Sequence, residues 1–373
     1  MMASLMWGVV HAQDMTFTQF YFNRAMINPA YVGQRGPLTV SSIHKQQWTR
    51  LPDRTFNDMH LSAFNAEISC PTYNLAMGVN LQYTEEGTGI FSQIYGAYTI
   101  SWTIKGKYST RTGIRALRNK RYLFSFGGQV GVGQKRLDWS RLTFSDQYDP
   151  YLGLTSAYSG VITSGVTDAS TMEPDISFGF LWRSELPSKR SYFSTGAALF
   201  HVNKPQETFL YTTNQVPQRL SLHFFWHQRL KKKLHSKDPM YLNIGVISDQ
   251  HMSLQGFFPP LAGSLVSFTG LVFPDMAFDL GIRLNPLDGL DVNSIILVYN
   301  QRINSPFFLS LGLEMNTGEF TFNQSGLTFD IGLTYTFEDL FLCKNSKREW
   351  CFDQFAKEFI QFGPKNNMQN FVP

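Results

Sequence analysis

Apolar and polar residues alternate with a period of two along most of this chain, in segments of about ten residues. Leu75, Met77, Val79, Leu81 and Tyr83 alternate with Ala76, Gly78, Asn80 and Gln82. Tyr98, Ile100, Trp102 and Ile104 alternate with Ala97, Thr99, Ser101 and Thr103. Further stripes run through Tyr122, Phe124, Phe126, Val130 and Val132, through Ile176, Phe178, Phe180 and Trp182, and through Phe278, Leu280, Ile282 and Leu284. A helix would return apolar residues at spacings of three and four; these return at two. About ten residues is also what a tilted strand needs to cross a bilayer. The pattern predicts strands centred on 38–48, 57–66, 75–83, 91–104, 121–135, 175–183, 191–202, 218–229, 240–249, 262–273, 276–285, 292–301, 306–315 and 327–337. The expected fold is all-β: a transmembrane antiparallel β-barrel of about 14 strands over residues 38–337, its apolar stripes facing lipid.

An even strand count puts both chain ends in the periplasm, so connections after odd strands lie outside the cell and those after even strands inside. Phe273–Met276 and Arg302–Pro306 then read as short periplasmic turns, and the longest connection, 136–174, as an outer surface loop. Two inner connections are longer and basic. Residues 105–121 carry Lys105, Lys107, Arg111, Arg115, Arg118, Lys120 and Arg121; residues 229–237 carry Arg229, Lys231, Lys232, Lys233 and Lys237. These are either solvated charged turns or a basic inner rim that docks an acidic periplasmic partner, with Lys231, Lys232, Lys233, Arg115 and Arg118 as candidate contacts.

Composition narrows the class. Charged residues make up 16% of the 373 residues, against roughly 25% in soluble domains, while aromatics reach 15%. No uninterrupted apolar run is long enough for a membrane helix, which excludes a helical membrane protein. A soluble β-sandwich array is the competing class, but a charge-poor, aromatic-rich chain fits strands with one lipid face and one polar face. The net charge of +4 does not point to nucleic acid. Residues 1–12 read as a short signal peptide, with an apolar Leu5–Val10 and a Val10-His11-Ala12 site before Gln13.

The last strand carries the most specific barrel pattern. Leu327, Phe329, Ile331, Leu333, Tyr335 and Phe337 alternate with Thr328, Asp330, Gly332, Thr334 and Thr336. Asp330, Gly332, Tyr335 and Phe337 resemble the signal read by barrel-insertion machinery, displaced from the chain end by a periplasmic tail, 338–373. Cys343 and Cys351 in that tail are expected to form a disulfide, with Cys70, placed in the turn after the second strand, either free or an alternative partner. Phe352, Phe355, Phe359 and Phe362 suggest a short amphipathic helix.

Residues 13–37 read as an N-terminal plug or rim segment closing the barrel from the periplasmic side, or as a periplasmic leader without lumen contact. Pro29 fixes its own φ and restricts Asn28 to extended backbone, so the chain turns there, and Gly33 permits a tight bend. The stretch Gln19-Phe20-Tyr21-Phe22-Asn23, leading into Asn28-Pro29-Ala30-Tyr31-Val32-Gly33, resembles the opening of the PorP/SprF family, and Lys45-Gln46-Gln47-Trp48 resembles its first-strand ending. That resemblance implies an outer-membrane component of the type IX secretion system. It further implies contact with periplasmic secretion components and support for a secreted surface adhesin of the gliding-motility type.

Catalytic signatures are missing: no His-Glu-x-x-His, Cys-x-x-Cys or phosphate-loop sequence occurs. His223 and His227 share one strand face, a weak metal pair at most. No enzyme activity, cofactor or metal is expected. The partners expected are membrane lipid, the adhesin and the periplasmic machinery, with transport of hydrophobic or small solutes as the competing function. An open lumen would favour transport; a filled one would favour anchoring.

Overall fold

The computed structural model describes residues 17–19, 22–35, 37–49, 59–70, 72–87, 90–111, 117–139, 142, 144–156, 159–160, 172–185, 191–209, 212–230, 240–252, 263–273, 275–285, 291–304, 306–317, 326–337, 340 and 342–343. The expected signal peptide, Phe20, Cys351 and the tail beyond Cys343 lie outside them.

Fourteen strands close into an antiparallel barrel. They are β1 Thr39–Gln47, β2 Met59–Cys70, β3 Leu75–Glu86, β4 Phe91–Arg111, β5 Leu117–Leu137, β6 Glu173–Glu185 and β7 Ser191–Phe200. The second half comprises β8 Gln218–Arg229, β9 Tyr241–Met252, β10 Gly263–Val272, β11 Met276–Asn285, β12 Asp291–Arg302, β13 Phe307–Asn316 and β14 Leu327–Thr336. Each strand pairs with its sequence neighbours, and β1 pairs with β14 from Thr39↔Thr336 to Gln46↔Phe329 to close the ring. Closure leaves no unpaired sheet edge inside the membrane, where an unsatisfied backbone group would cost several kcal/mol, on the order of its transfer to hydrocarbon.

Side-chain parity follows the sequence alternation. Leu81, Tyr98, Ile100, Trp102, Phe126, Phe178, Leu280 and Leu333 point outward and are exposed in the isolated chain. Asn80, Thr99, Ser101, Ser125, Ser194, Asn300 and Thr328 point inward and are buried. The outward stripe is the lipid face.

Residues 105–111 and 117–121 are strand rather than turn: β4 and β5 stay paired to Arg111↔Leu117, each 21 residues long against 9 to 13 for the other barrel strands. The backbone pairing continues there without the apolar alternation that announces a lipid-facing strand. Cys70 likewise ends β2 rather than occupying the following turn.

The start of β1 and the residues after β14 meet on one rim. Leu38 donates to Leu340 O (2.8 Å), Phe337 donates to Leu38 O (2.9 Å) and Leu342 donates to Ser69 O (3.1 Å). A Cys70–Cys343 disulfide, with Cα atoms 4.9 Å apart, completes this strap. The expected Cys343–Cys351 pairing is therefore replaced by one across 273 positions. Sequence proximity favoured Cys351, but the tail leaves β14, passes the base of β1 and arrives at the end of β2, which delivers Cys343 to Cys70. The strap crosses the β1–β14 seam. Its rim carries the β2–β3, β4–β5, β6–β7, β8–β9, β10–β11 and β12–β13 connections, while the longest connection, residues 138–172, sits on the opposite rim.

Candidate functional site

The lumen holds a segment of the chain itself. From Phe17 to Arg35 the N-terminal stretch runs through the barrel before leaving at Leu38 to start β1. Two short 3-10 turns, Arg24–Met26 and Pro29–Tyr31, shape it. Its upper end, Thr18, reaches Glu314 and Asp330 near the opposite-rim ends of β13 and β14, so it threads the lumen rather than capping only the periplasmic mouth. Phe22, Ala30, Tyr31 and Val32 are buried.

Asn28 sits in extended backbone (φ −162°, ψ 119°), as a residue before proline must, and caps the second turn by accepting from Ala30 N (2.9 Å). Its amide nitrogen donates to Phe180 O (2.8 Å) and to Ala197 O (3.3 Å) on β6 and β7. A fully buried amide is thus satisfied on both sides, one by its own turn and one by the wall.

The wall admits this segment because its inward positions there are glycines. Gly127 on β5 and Gly179 on β6 are cross-strand partners. A Cβ on Gly127 would overlap the Pro29–Ala30 peptide, and one on Gly179 would overlap Asn28 Oδ1. Elsewhere a Cβ on Gly78 would fall 2.9 Å from Val32, on Gly312 2.7 Å from Gln19, and on Gly332 2.6 Å from the Phe22 ring. Glycine inside a strand marks close approach of another backbone, and here five of them line the seat. Gly33 adds the bend, with φ +75°, and its N–H donates to Glu67 Oε2 (2.8 Å).

Charged side chains fix the plug at both ends. At the upper end, Thr18 N and Gln19 N donate to Asp330 Oδ2 (2.8 and 3.2 Å), and Thr18 Oγ1 donates to Glu314 Oε2 (2.9 Å). Glu314 also takes Arg283 Nε at 2.9 Å and Lys45 Nζ at 3.6 Å. At the lower end, Arg35 pairs with Glu67 at 3.4 Å. Between them, Arg183 donates to Ser194 Oγ (3.2 Å) and Gln34 Oε1 (3.4 Å), and its guanidinium lies 5.1 Å from the Tyr31 ring centre. Arg219 donates to Met26 O (2.9 Å).

The residues singled out from sequence separate into three groups. Gln19, Phe22, Asn28, Pro29, Ala30, Tyr31 and Gly33 converge on the seat, and Asn23 joins them by a hydrogen bond from Asn80 (2.5 Å). Asp330 and Gly332 face the plug, whereas Tyr335 and Phe337 stack edge to face at 4.6 Å at the rim, in an aromatic girdle position. Arg115 and Lys231, Lys232 and Lys233 lie outside the described residues, and Arg118 belongs to the projecting part of β5. His223 and His227 are buried in the lumen: the first packs 5.0 Å from Tyr31, the second bonds Asn243 (2.7 Å). Among the described residues no group of three or more metal-ligating side chains forms.

Gly78, Gly179, Gly312, Glu67, Arg183 and Glu314 escaped the sequence reading. Each is a glycine or charged residue on the polar parity of a strand, a position that reads the same in sequence whether it faces water or the plug.

Several solved outer-membrane proteins match the chain at low similarity. A bacterial polysaccharide outer membrane secretin matches with TM-score 0.37 and 12% identity, covering 81% of this chain and 99% of its own. CdiB from Acinetobacter baumannii matches with TM-score 0.38 and 8% identity, covering 80% and 60%. A TodX monoaromatic hydrocarbon channel mutant matches with TM-score 0.38 and 10% identity, covering 84% and 94%. No curated protein matches. The family described as type IX secretion system membrane protein PorP/SprF matches over residues 9–335. This outer-membrane barrel belongs to the PorP/SprF family, the membrane component of the type IX secretion system.

Proposed function

We propose that this barrel is an anchor rather than a channel: outside it holds or hands over a secreted surface adhesin of the gliding-motility type, and inside it engages periplasmic secretion components. One observation carries this reading. The lumen is occupied by the Phe17–Arg35 segment, which is bonded to the wall at Asp330, Glu314, Phe180, Ala197 and Glu67. A cavity lined by Phe17, Asn23, Arg219, Asp249 and Arg283 measures about 40 Å³, room for a few waters and not for an organic solute. Transport would require this packing to come apart.

With the lumen filled, recognition falls to the rims. The β4–β5 ribbon supports an inner docking site: residues 105–121 hold seven cations and no acid. Lys231, Lys232 and Lys233 add a second basic stretch on the same rim. Such a rim suits an acidic partner and does not call for a catalytic role.

The test is paired. Charge reversal of Lys231, Lys232 and Lys233, with Arg115 and Arg118, should reduce recovery of periplasmic secretion components with the purified barrel while its heat-modifiable mobility is kept. Replacing the tip of 136–174 with a short Gly/Ser loop should release the adhesin from cells. If neither change alters partner recovery or surface adhesin, while deletion of residues 17–33 merely admits small solutes, the transport reading replaces this one.

A further inference from the structure

The outer rim carries an ordered knuckle of apolar side chains that the fold leaves uncovered. Residues Tyr148–Asp149 pair with Gly153–Leu154 as a miniature hairpin above the barrel. Tyr151 is 96% exposed and Leu152 80%, with Tyr148 and Leu154 exposed beside them. A soluble loop tip of this size would ordinarily present Ser, Asn or Gly.

The knuckle is built, not frayed. Asp149 Oδ1 accepts from Tyr151 N (2.7 Å) and Leu152 N (3.0 Å), fixing the turn, and Gly153 takes φ +75° to close it. Below, Gln147 is buried, accepts from Phe144 N (2.8 Å), and its carbonyl takes Thr155 N (2.9 Å). Asp146 accepts from Ser159 Oγ (2.9 Å) and Gly160 N (2.8 Å). Trp139 stacks on Phe144 at 6.2 Å, and Asp138 N donates to Ile90 O (2.8 Å), tying the base to the neighbouring β3–β4 connection. Rigid aromatic and leucine anchors on a preorganised turn lose little conformational freedom on binding, which is the make-up of an interface hot spot.

Chemistry selects the partner. Residues 142–160 include Asp146 and Asp149 and no Lys or Arg. A phosphate-rich outer leaflet would repel that surface, since lipid-binding segments are basic. A glycan would stack on the tyrosine rings but would leave the exposed Leu152 and Leu154 without an apolar partner. What remains on offer is one phenol ring face after another and two leucines.

We propose that Tyr148, Tyr151, Leu152 and Leu154 form the contact by which this barrel seats in an apolar pocket of a polypeptide on the outer cell surface. This rests on the outward-facing anchoring reading above and names the element that performs it.

The experiment uses whole cells carrying the full chain. A photo-crosslinking residue is placed at position 151, and at position 73 as control, because Tyr73 is exposed on the opposite rim. The expected result is an adduct at 151 with a secreted polypeptide that is digested by protease added outside, and none with that polypeptide at 73. Tyr151→Ser with Leu152→Ser should lower surface retention of the same polypeptide by roughly tenfold or more, as loss of hot-spot residues does, while Tyr151→Phe retains it. Adducts at 151 only with lipopolysaccharide or glycan would overturn the proposal, as would unchanged retention in the double serine variant. If that variant is unchanged yet the Gly/Ser replacement of 136–174 releases the polypeptide, the knuckle assignment fails and the anchoring reading stands. If the loop replacement also changes nothing, both fail.

Discussion

Asn28 occupies the space that a Cβ at position 179 would need. Its Oδ1 caps the Pro29–Tyr31 turn while its amide nitrogen reaches Phe180 O, so Asn28 cannot retreat without breaking one bond or the other. The Asn-Pro-Ala sequence of the plug and the paired glycines of β5 and β6 are two halves of one joint. Gly179→Ala should therefore displace the plug at a cost of about 1–3 kcal/mol, the usual penalty for overpacking. The readout is a lower unfolding temperature in detergent together with raised conductance in planar bilayers. An unaltered temperature and conductance would show that the joint is slack.

Asp330 anchors the plug through two backbone N–H groups, and its position in the last strand also fits a barrel-insertion signal. The two roles separate by timing. Asp330→Ala should leave the plug's first residues unanchored and cost about 1–3 kcal/mol in the folded barrel, because buried donors lose their acceptor. If Asp330 also serves insertion, the same change should slow assembly in cells, measured by pulse-labelling, even when Gly332, Tyr335 and Phe337 are intact. Normal assembly with a loosened plug would assign Asp330 to the plug alone.

The strap predicts thiol chemistry. With Cys70 and Cys343 joined, alkylation of the unreduced protein should modify only Cys351 of the three cysteines, and peptide mapping should recover a Cys70–Cys343 link. Cys343→Ser should destabilise the barrel by about 2–4 kcal/mol, the usual range for a native disulfide, with the seam strands β1 and β14 showing the largest loss of hydrogen-exchange protection. Mapping of a Cys343–Cys351 link instead would remove the strap.

The Arg35–Glu67 pair is buried on both sides, so removing one partner strands a charge. Glu67→Ala should cost about 3–5 kcal/mol and also deprive Gly33 N–H of its acceptor. Combining it with Arg35→Met should recover part of that loss. Strict additivity of the two single effects would argue that the ion pair contributes no coupling.

Strand order, strand bounds and the inside–outside parity were legible in the sequence, because a lipid face and a polar lumen impose period-two alternation on every strand that crosses. For β8 and β11 the expected and observed bounds coincide. The pattern failed where the alternation stops: β4 and β5 stay paired to Arg111↔Leu117 through residues that carry no apolar stripe. Residues 13–37 were readable as a turn-forming, aromatic segment from Pro29, Gly33 and Phe22. Its seat was not, since Gly127, Gly179, Gly312 and Gly332 lie 98 to 310 positions from Pro29, Asn28, Gln19 and Phe22, which they receive, and a glycine on the polar parity looks the same whether it faces water or a proline. The disulfide shows the same division. Sequence distance favoured Cys351 as partner of Cys343, but closing the barrel brings the end of β14 beside the base of β1 and within reach of β2. What the sequence by itself determined is local: which residues alternate, where they turn and which face meets lipid. Pairings across the lumen and across the seam came only with closure of the ring, because closure sets which distant positions share a height and a wall.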